Sequence, residues 1–215
     1  MNAMTSVAAL AAAQPTSPEL ALKAAMATID AAIALLPTME TGGLIAAGVL
    51  RSAMTEAFKG TDAEGAWDWK TAYDACEIAS VLFIRKYGSA LRRKVPPASA
   101  LLPTLHRVAA LLPTHTRRSI DSQTYQQFST PLPLGWVAAA AATVGPADTV
   151  LEPSAGTWLL AILAEMMGSG LILNELEPGR ADVLDLVFPK TARSRHDAAQ
   201  LDDYLATALK PSVVL

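Results

Sequence analysis

Three acidic residues stand where alternating strands and helices would gather them around one ligand. The string Val150-Leu151-Glu152-Pro153-Ser154-Ala155-Gly156-Thr157 leads from an apolar run, through small residues, into a helical stretch. A strand-turn-helix of this kind sets a ligand against the N–H groups of a helix N-terminus, and small side chains let it approach the backbone. Glu152 is placed to accept from a ligand ammonium, or, alternatively, to cap the helix that follows. Glu175 ends a second apolar run, Leu171-Ile172-Leu173-Asn174, 19 residues beyond Gly156. An acid about 20 residues on is the spacing for binding both hydroxyls of a ribose. Asp197, in His196-Asp197-Ala198, follows a third run. It suits the exocyclic amine of an adenine, or the N-cap of a helix starting near Ala199. A pyrophosphate-binding turn wants Gly-x-Gly-x-x-Gly; this one has a single glycine and a carboxylate, which favours a cationic ligand.

The elements that must position these residues divide the chain in two. Residues 18–114 read as helices. Ser17 is a candidate N-cap before Pro18-Glu19, and Leu20, Leu22, Met26, Ile29, Ile33 and Leu36 supply an apolar face at near-helical spacing, ended by Pro37. Further helices are expected over 44–58, from Trp67 to Tyr87-Gly88, and over 98–112, with Pro103 in a first turn. From Leu132 onward short apolar runs alternate with helical stretches. The expected strands are 149–151, 170–173, 192–195 and 212–215, and the helices between them 157–167, 178–187 and 199–209. That order predicts βαβ units in a parallel sheet of four strands. The third strand is polar and is expected at an edge. The fold class is therefore α/β: a Rossmann-like doubly wound parallel sheet behind an all-helical region, with 1–17 a loosely ordered leader.

Composition narrows the function classes. The net charge of −3 does not advertise nucleic-acid binding. Cys76 is the only cysteine, so neither an intrachain disulfide nor a cysteine metal site is available; His106, His115 and His196 are too scattered to add one, and no metal is expected. No run of about 18 uncharged apolar residues suggests a membrane span, and the first Lys is Lys23, which argues against a secretory signal. Trp67 and Trp69 are expected as core anchors rather than base-stacking platforms. Arg92-Arg93-Lys94 and Arg117-Arg118 are expected as solvated ends.

At the level of motifs the chain resembles the class I S-adenosylmethionine-dependent methyltransferases of the adenine-amino DNA type. Glu152-Pro153-Ser154-Ala155-Gly156-Thr157 is similar to their first motif, E-P-(S/A)-A-G-x-G. Gln126-Gln127-Phe128-Ser129-Thr130-Pro131 is similar to the upstream cofactor motif, Asn174-Glu175-Leu176 to the second and Asp197-Ala198 to the third. The upstream half resembles the N-terminal region of bacterial strawberry-notch-type proteins, which join a methylase-like domain to a helicase. The methyltransferase motifs span residues 119–215, and the second likeness most of the chain.

The resemblance implies a cytoplasmic protein that binds S-adenosyl-L-methionine in a domain over 115–215. The implied cofactor residues are Tyr125, Phe128, Ser129, Thr130, Pro131, Glu152, Pro153, Ser154, Ala155, Gly156, Thr157, Glu175, Leu176, Asp197 and Ala198. For Tyr125, Phe128 and Thr130, plain loop packing is the alternative. DNA is the implied partner, through the full-length protein. The sequence departs from the family in two places. Trp158 stands where the family has glycine, so its indole is expected either to crowd the cofactor or to turn into the core. No Asn-Pro-Pro or Asp-Pro-Pro occurs, although the family places Asn/Asp-Pro-Pro-Phe/Tyr directly after the fourth strand. This predicts a domain incomplete at its C-terminus with no catalytic residue of its own, inactive alone. The alternative is a catalytically dead binding or anti-restriction-like module on the same fold. A further expectation is a fourth-strand edge with Val213, Val214 and Leu215 partly uncovered and the helices on its far side absent, open to self-association or a partner segment.

Overall fold

The structure is a computed structural model and describes residues 17–94, 98–113, 129–206 and 209–215. Of the expected leader, residues 1–16 lie outside these. Helix α1 (Pro18–Glu40) starts with Ser17 as N-cap, accepting from the Leu20 N–H at 3.3 Å. It is followed by α2 (Ala47–Phe58) and α3 (Trp69–Lys94). A 3-10 turn (Ala98–Leu101) leads into α4 (Leu102–Ala109), with Pro103 in its first turn as expected. Then come α5 (Leu132–Ala141), β1 (Thr149–Glu152), α6 (Leu159–Met167), β2 (Gly170–Asn174), α7 (Pro178–Val187) and β3 (Ala192–Ser194). A 3-10 turn (Ala198–Gln200), a short α8 (Leu201–Tyr204) and β4 (Val213–Val214) complete the order. The last helix is shorter than the expected 199–209, because Leu205 returns to extended backbone (φ −63°, ψ 122°).

The four strands are parallel and lie in the order β3-β2-β1-β4. Polar β3 is an edge strand, as expected, and β4 is the other edge. Val150 of β1 pairs with Leu171 of β2 and Leu151 with Ile172. Alternation then sends Val150, Leu173 and the half-buried Val213 into the main core, while Leu151 and Ile172 pack under Leu201 on the opposite face. The expected bare far side is thus partly covered. At the β4 edge Val213 and Leu215 pack against the main core, and only Val214 stands out, 61% exposed.

The helical region and the sheet region share one core. A continuous buried cluster runs from Ala25 in α1 through α3 and α6 to Phe188. Helix α1 packs on α2, α3 and α7, and α3 packs on α6. Three sequence expectations are corrected here. The buried residues of α1 are Ala25, Ala27, Thr28, Ala31, Ala32, Leu35 and Met39, whereas Leu22, Met26 and Ile33 are 47%, 53% and 51% exposed. Interaxial distance is set by the side chains at the contact. Small residues let α1 lie close to α3, whose own Ala72, Ala75 and Ala79 are wholly buried; the bulkier series faces outward. By length and composition α1 would also suit a membrane crossing. Pro37 does not end α1, which continues to Glu40: its missing N–H removes the bond to the Ile33 carbonyl, and the anchoring of Met39 in the core offsets that loss. Gly88 does not end α3 either. A Cβ there would meet Met166 Sδ at 2.5 Å, so glycine lets α6 lie directly on the α3 backbone.

Candidate functional site

Strand β1 ends at Glu152, and the turn to α6 bends through two left-handed residues, Gly156 (φ 54°) and Trp158 (φ 66°). The turn is fixed from β2: the Ala155 N–H donates to the Asn174 carbonyl at 2.8 Å, and the Gly156 N–H to Glu175 Oε2 at 2.7 Å. The Asn174 side chain, 1% exposed, is saturated. Its amide donates to the Pro153 and His196 carbonyls, both at 2.8 Å, and its oxygen accepts from Ser194 Oγ and the His196 N–H. One side chain therefore ties the C-terminal ends of β1, β2 and β3 together.

A cavity of ≈ 360 Å³ opens at these strand ends, in the range of small-molecule sites, about 300–1,000 Å³. It is bordered by Ser129, Thr130, the whole 152–157 turn, Glu175, Leu176, Asp197 and Ala198. These sequence-selected residues, spread over four segments, are brought to one place. Pro131 is instead the exposed N-cap residue of α5 and is not among the lining residues. Tyr125 and Phe128 lie outside the described residues.

The acids differ in state. Glu152 is 4% exposed. Burial pushes its carboxyl well above the ordinary range; a backbone hydrogen bond from Ala161, in the first turn of α6, opposes this, and the charge of Glu175 adds to it. Its Oε2 has no hydrogen-bond partner among the described residues. Glu175 is also raised by burial, but less completely enclosed: Oε2 accepts from Gly156, and Oε1 from the Glu177 N–H at 2.9 Å. Asp197 is exposed and accepts from the Ala199 N–H at 3.0 Å, so the capping role anticipated for it is realised at the cavity rim.

Residues the sequence reading passed over complete the site. Arg180 of α7, 8% exposed, borders the cavity next to Gly156. It is held by Asp74 of α3 through Nη2 at 2.6 Å and Nε at 3.3 Å. Burial opposes its charge, but Asp74, Glu77 and Glu175 outweigh that and hold its pKa above the ordinary value. Glu77, one turn after Asp74, accepts from Ser129 Oγ at 2.5 Å and from Thr157 Oγ1. Lys70 bridges Asp74 and Glu177, 3.7 Å from each. One signal for this existed: Asp74 and Glu77 fall inside the unbroken buried stretch of α3 over 72–81, and acids there need partners from another element.

Of its two expected orientations, Trp158 has the inward one. Its indole is 1% exposed and lies edge-on to Phe188, centroids 6.3 Å apart, so it has turned into the core. Its Nε1 has no partner among the described residues. The positive φ explains why glycine would suit this position. Trp67 and Trp69 are core anchors as expected, donating to the Gly60 carbonyl and to Asp62. Cys76 is fully buried, its thiol pushed up to about 12 chiefly by burial. No protein-family model, curated protein or solved structure matches the chain.

Proposed function

We propose that the cavity binds S-adenosylmethionine, and its demethylated product S-adenosylhomocysteine, as the cofactor site of a DNA adenine-amino methyltransferase. The observation that carries the reading is the convergence of Glu152, Gly156, Glu175 and Asp197 on one cavity at the strand ends. The strand order β3-β2-β1-β4 supports it, because chain order reverses beside β1 and doubly wound, Rossmann-like sheets bind ligands at such a reversal. The donor and acceptor chemistry fits the cofactor. Glu152 carries a buried oxygen without a partner among the described residues, which a ligand ammonium would satisfy and whose carboxyl it would help to ionise. Each carboxylate oxygen of Glu175 uses one backbone N–H and retains acceptor capacity for ribose hydroxyls. Asp197 stands at the rim for the adenine amine. The bound cofactor supplies an electrophilic methyl group on sulfur. In this reading the chain's residues hold and orient that cofactor and exclude water, and transfer to DNA depends on an Asn/Asp-Pro-Pro-aromatic segment that residues 1–215 do not contain.

Calorimetric titration with S-adenosylhomocysteine tests the reading. Binding is expected in the wild type. Glu175→Ala is expected to lose two charge-assisted hydrogen bonds, about 1.5–3 kcal/mol each. No heat from the wild type at millimolar ligand rejects the assignment.

A further inference from the structure

Ser129 and Thr157 both border the cavity, and their hydroxyl oxygens lie 3.1 Å apart. Both also reach the same atom, Oε2 of Glu77, a residue 4% exposed on α3. A hydroxyl has one proton to donate and two lone pairs, and a carboxylate has lone pairs only. An ionised Glu77 can take the single proton of each hydroxyl; the 3.1 Å Ser129–Thr157 contact, in which either oxygen could donate, then carries none, and neither hydroxyl keeps a proton for the cavity. We infer that Glu77 locks Ser129 and Thr157 into an acceptor pair, so that this part of the cavity selects a ligand group rich in N–H donors, an ammonium, and rejects a carboxylate or phosphate. The inference rests on the S-adenosylmethionine reading and names the end of that ligand which α3 recognises. It makes Glu77 a positioning residue, supplied by the helical region, for two segments 28 residues apart. It also accounts for Glu77 being buried in a helix whose neighbours Cys76, Ile78 and Ala79 are wholly apolar in role.

The test compares two probes on the full 215-residue chain: S-adenosylhomocysteine, and its analogue lacking the α-amino group. Wild type is expected to prefer the amino-bearing ligand. In Glu77→Gln an amide nitrogen in the place of Oε2 donates to the two hydroxyls and frees their protons to face the cavity. Affinity for S-adenosylhomocysteine should then fall about tenfold or more, while the deaminated analogue changes by less than about twofold. Ser129→Ala removes one acceptor without altering α3 and should show the same selective loss, which keeps the test decisive if Glu77→Gln does not fold. Equal losses for both ligands, or no loss for either, overturn the inference while leaving the cofactor assignment intact. A wild type that binds neither ligand overturns the cofactor assignment itself.

Discussion

Helix α3, which holds residues that line the cavity, and the turn between β1 and α6, which lines it, both bury polar groups, yet they balance them in opposite ways. On α3, Asp74 meets Arg180, and Glu77 meets two hydroxyls. In the turn region, Glu152 keeps an oxygen and Trp158 an N–H without a partner among the described residues, and Trp158 sits at a positive φ. An unpaired buried polar group costs about 1–3 kcal/mol, and a bulky residue in the left-handed region costs a similar amount, about 1–3 kcal/mol. Unsatisfied groups and strain thus collect on the cavity-lining segment, and compensation collects on the helix behind it. The contrast teaches a division of labour: the acids of α3 are paired as folded, whereas in the proposed reading the turn gains when a ligand supplies what Glu152 lacks among the described residues.

The largest effect should come from breaking the satisfied side. Asp74→Ala leaves Arg180 charged, buried and without its main partner, and breaking such a pair costs about 3–5 kcal/mol. The expected result is a marked fall in the urea midpoint. An unchanged midpoint would mean that Glu77 and Glu175 suffice to hold the guanidinium, and α3 would lose its distinct role.

A smaller loss is expected from the strained side. Trp158→Gly removes a core indole, which typically costs about 3–5 kcal/mol, but relieves the left-handed backbone and an N–H without a partner among the described residues, returning about half of that. A net destabilisation of about 2 kcal/mol in urea unfolding is expected. A more stable variant would show that strain, not packing, dominates at the turn.

The smallest effect is a pH dependence that separates the two sides. Burial raises Glu152 above its ordinary 4.5, so at pH values between the unfolded and folded pKa the folded chain keeps a proton that the unfolded chain has released. The resulting stabilisation is complete below the unfolded value and is lost as pH rises through the folded one. In Glu152→Gln this loss is absent, so thermal melts between pH 5 and 8 should be flatter, and the variant should exceed the wild type by about a few degrees at the upper end. Glu175, raised by the same cause, contributes to the slope that remains. Identical pH profiles would show that Glu152 is already ionised without ligand and would remove the contrast drawn above.

The sequence by itself determined the parallel sheet and the place of the site. Strands β1 and β2 and helix α7 lie where short apolar runs, breakers and helical stretches alternate, because those signals are local: period, turn residues and caps act within a few positions. The same locality made the turn at 153–158, and the acids that end the strands, readable in advance. Only the tertiary structure decided which face of α1 is buried, because alanine and large apolar residues both follow a helical period, and the choice depends on how closely α3 can approach. It alone decided that Pro37 and Gly88 lie inside helices, since packing by Met39 and against Met166 outweighs local breaking tendencies. The pairing of Asp74 with Arg180 joins residues 106 apart, and that of Glu77 with Thr157 joins residues 80 apart. No local pattern encodes such distances. They follow from burying α3 against the sheet's helices, which obliges each acid to find a donor on the other side of the core.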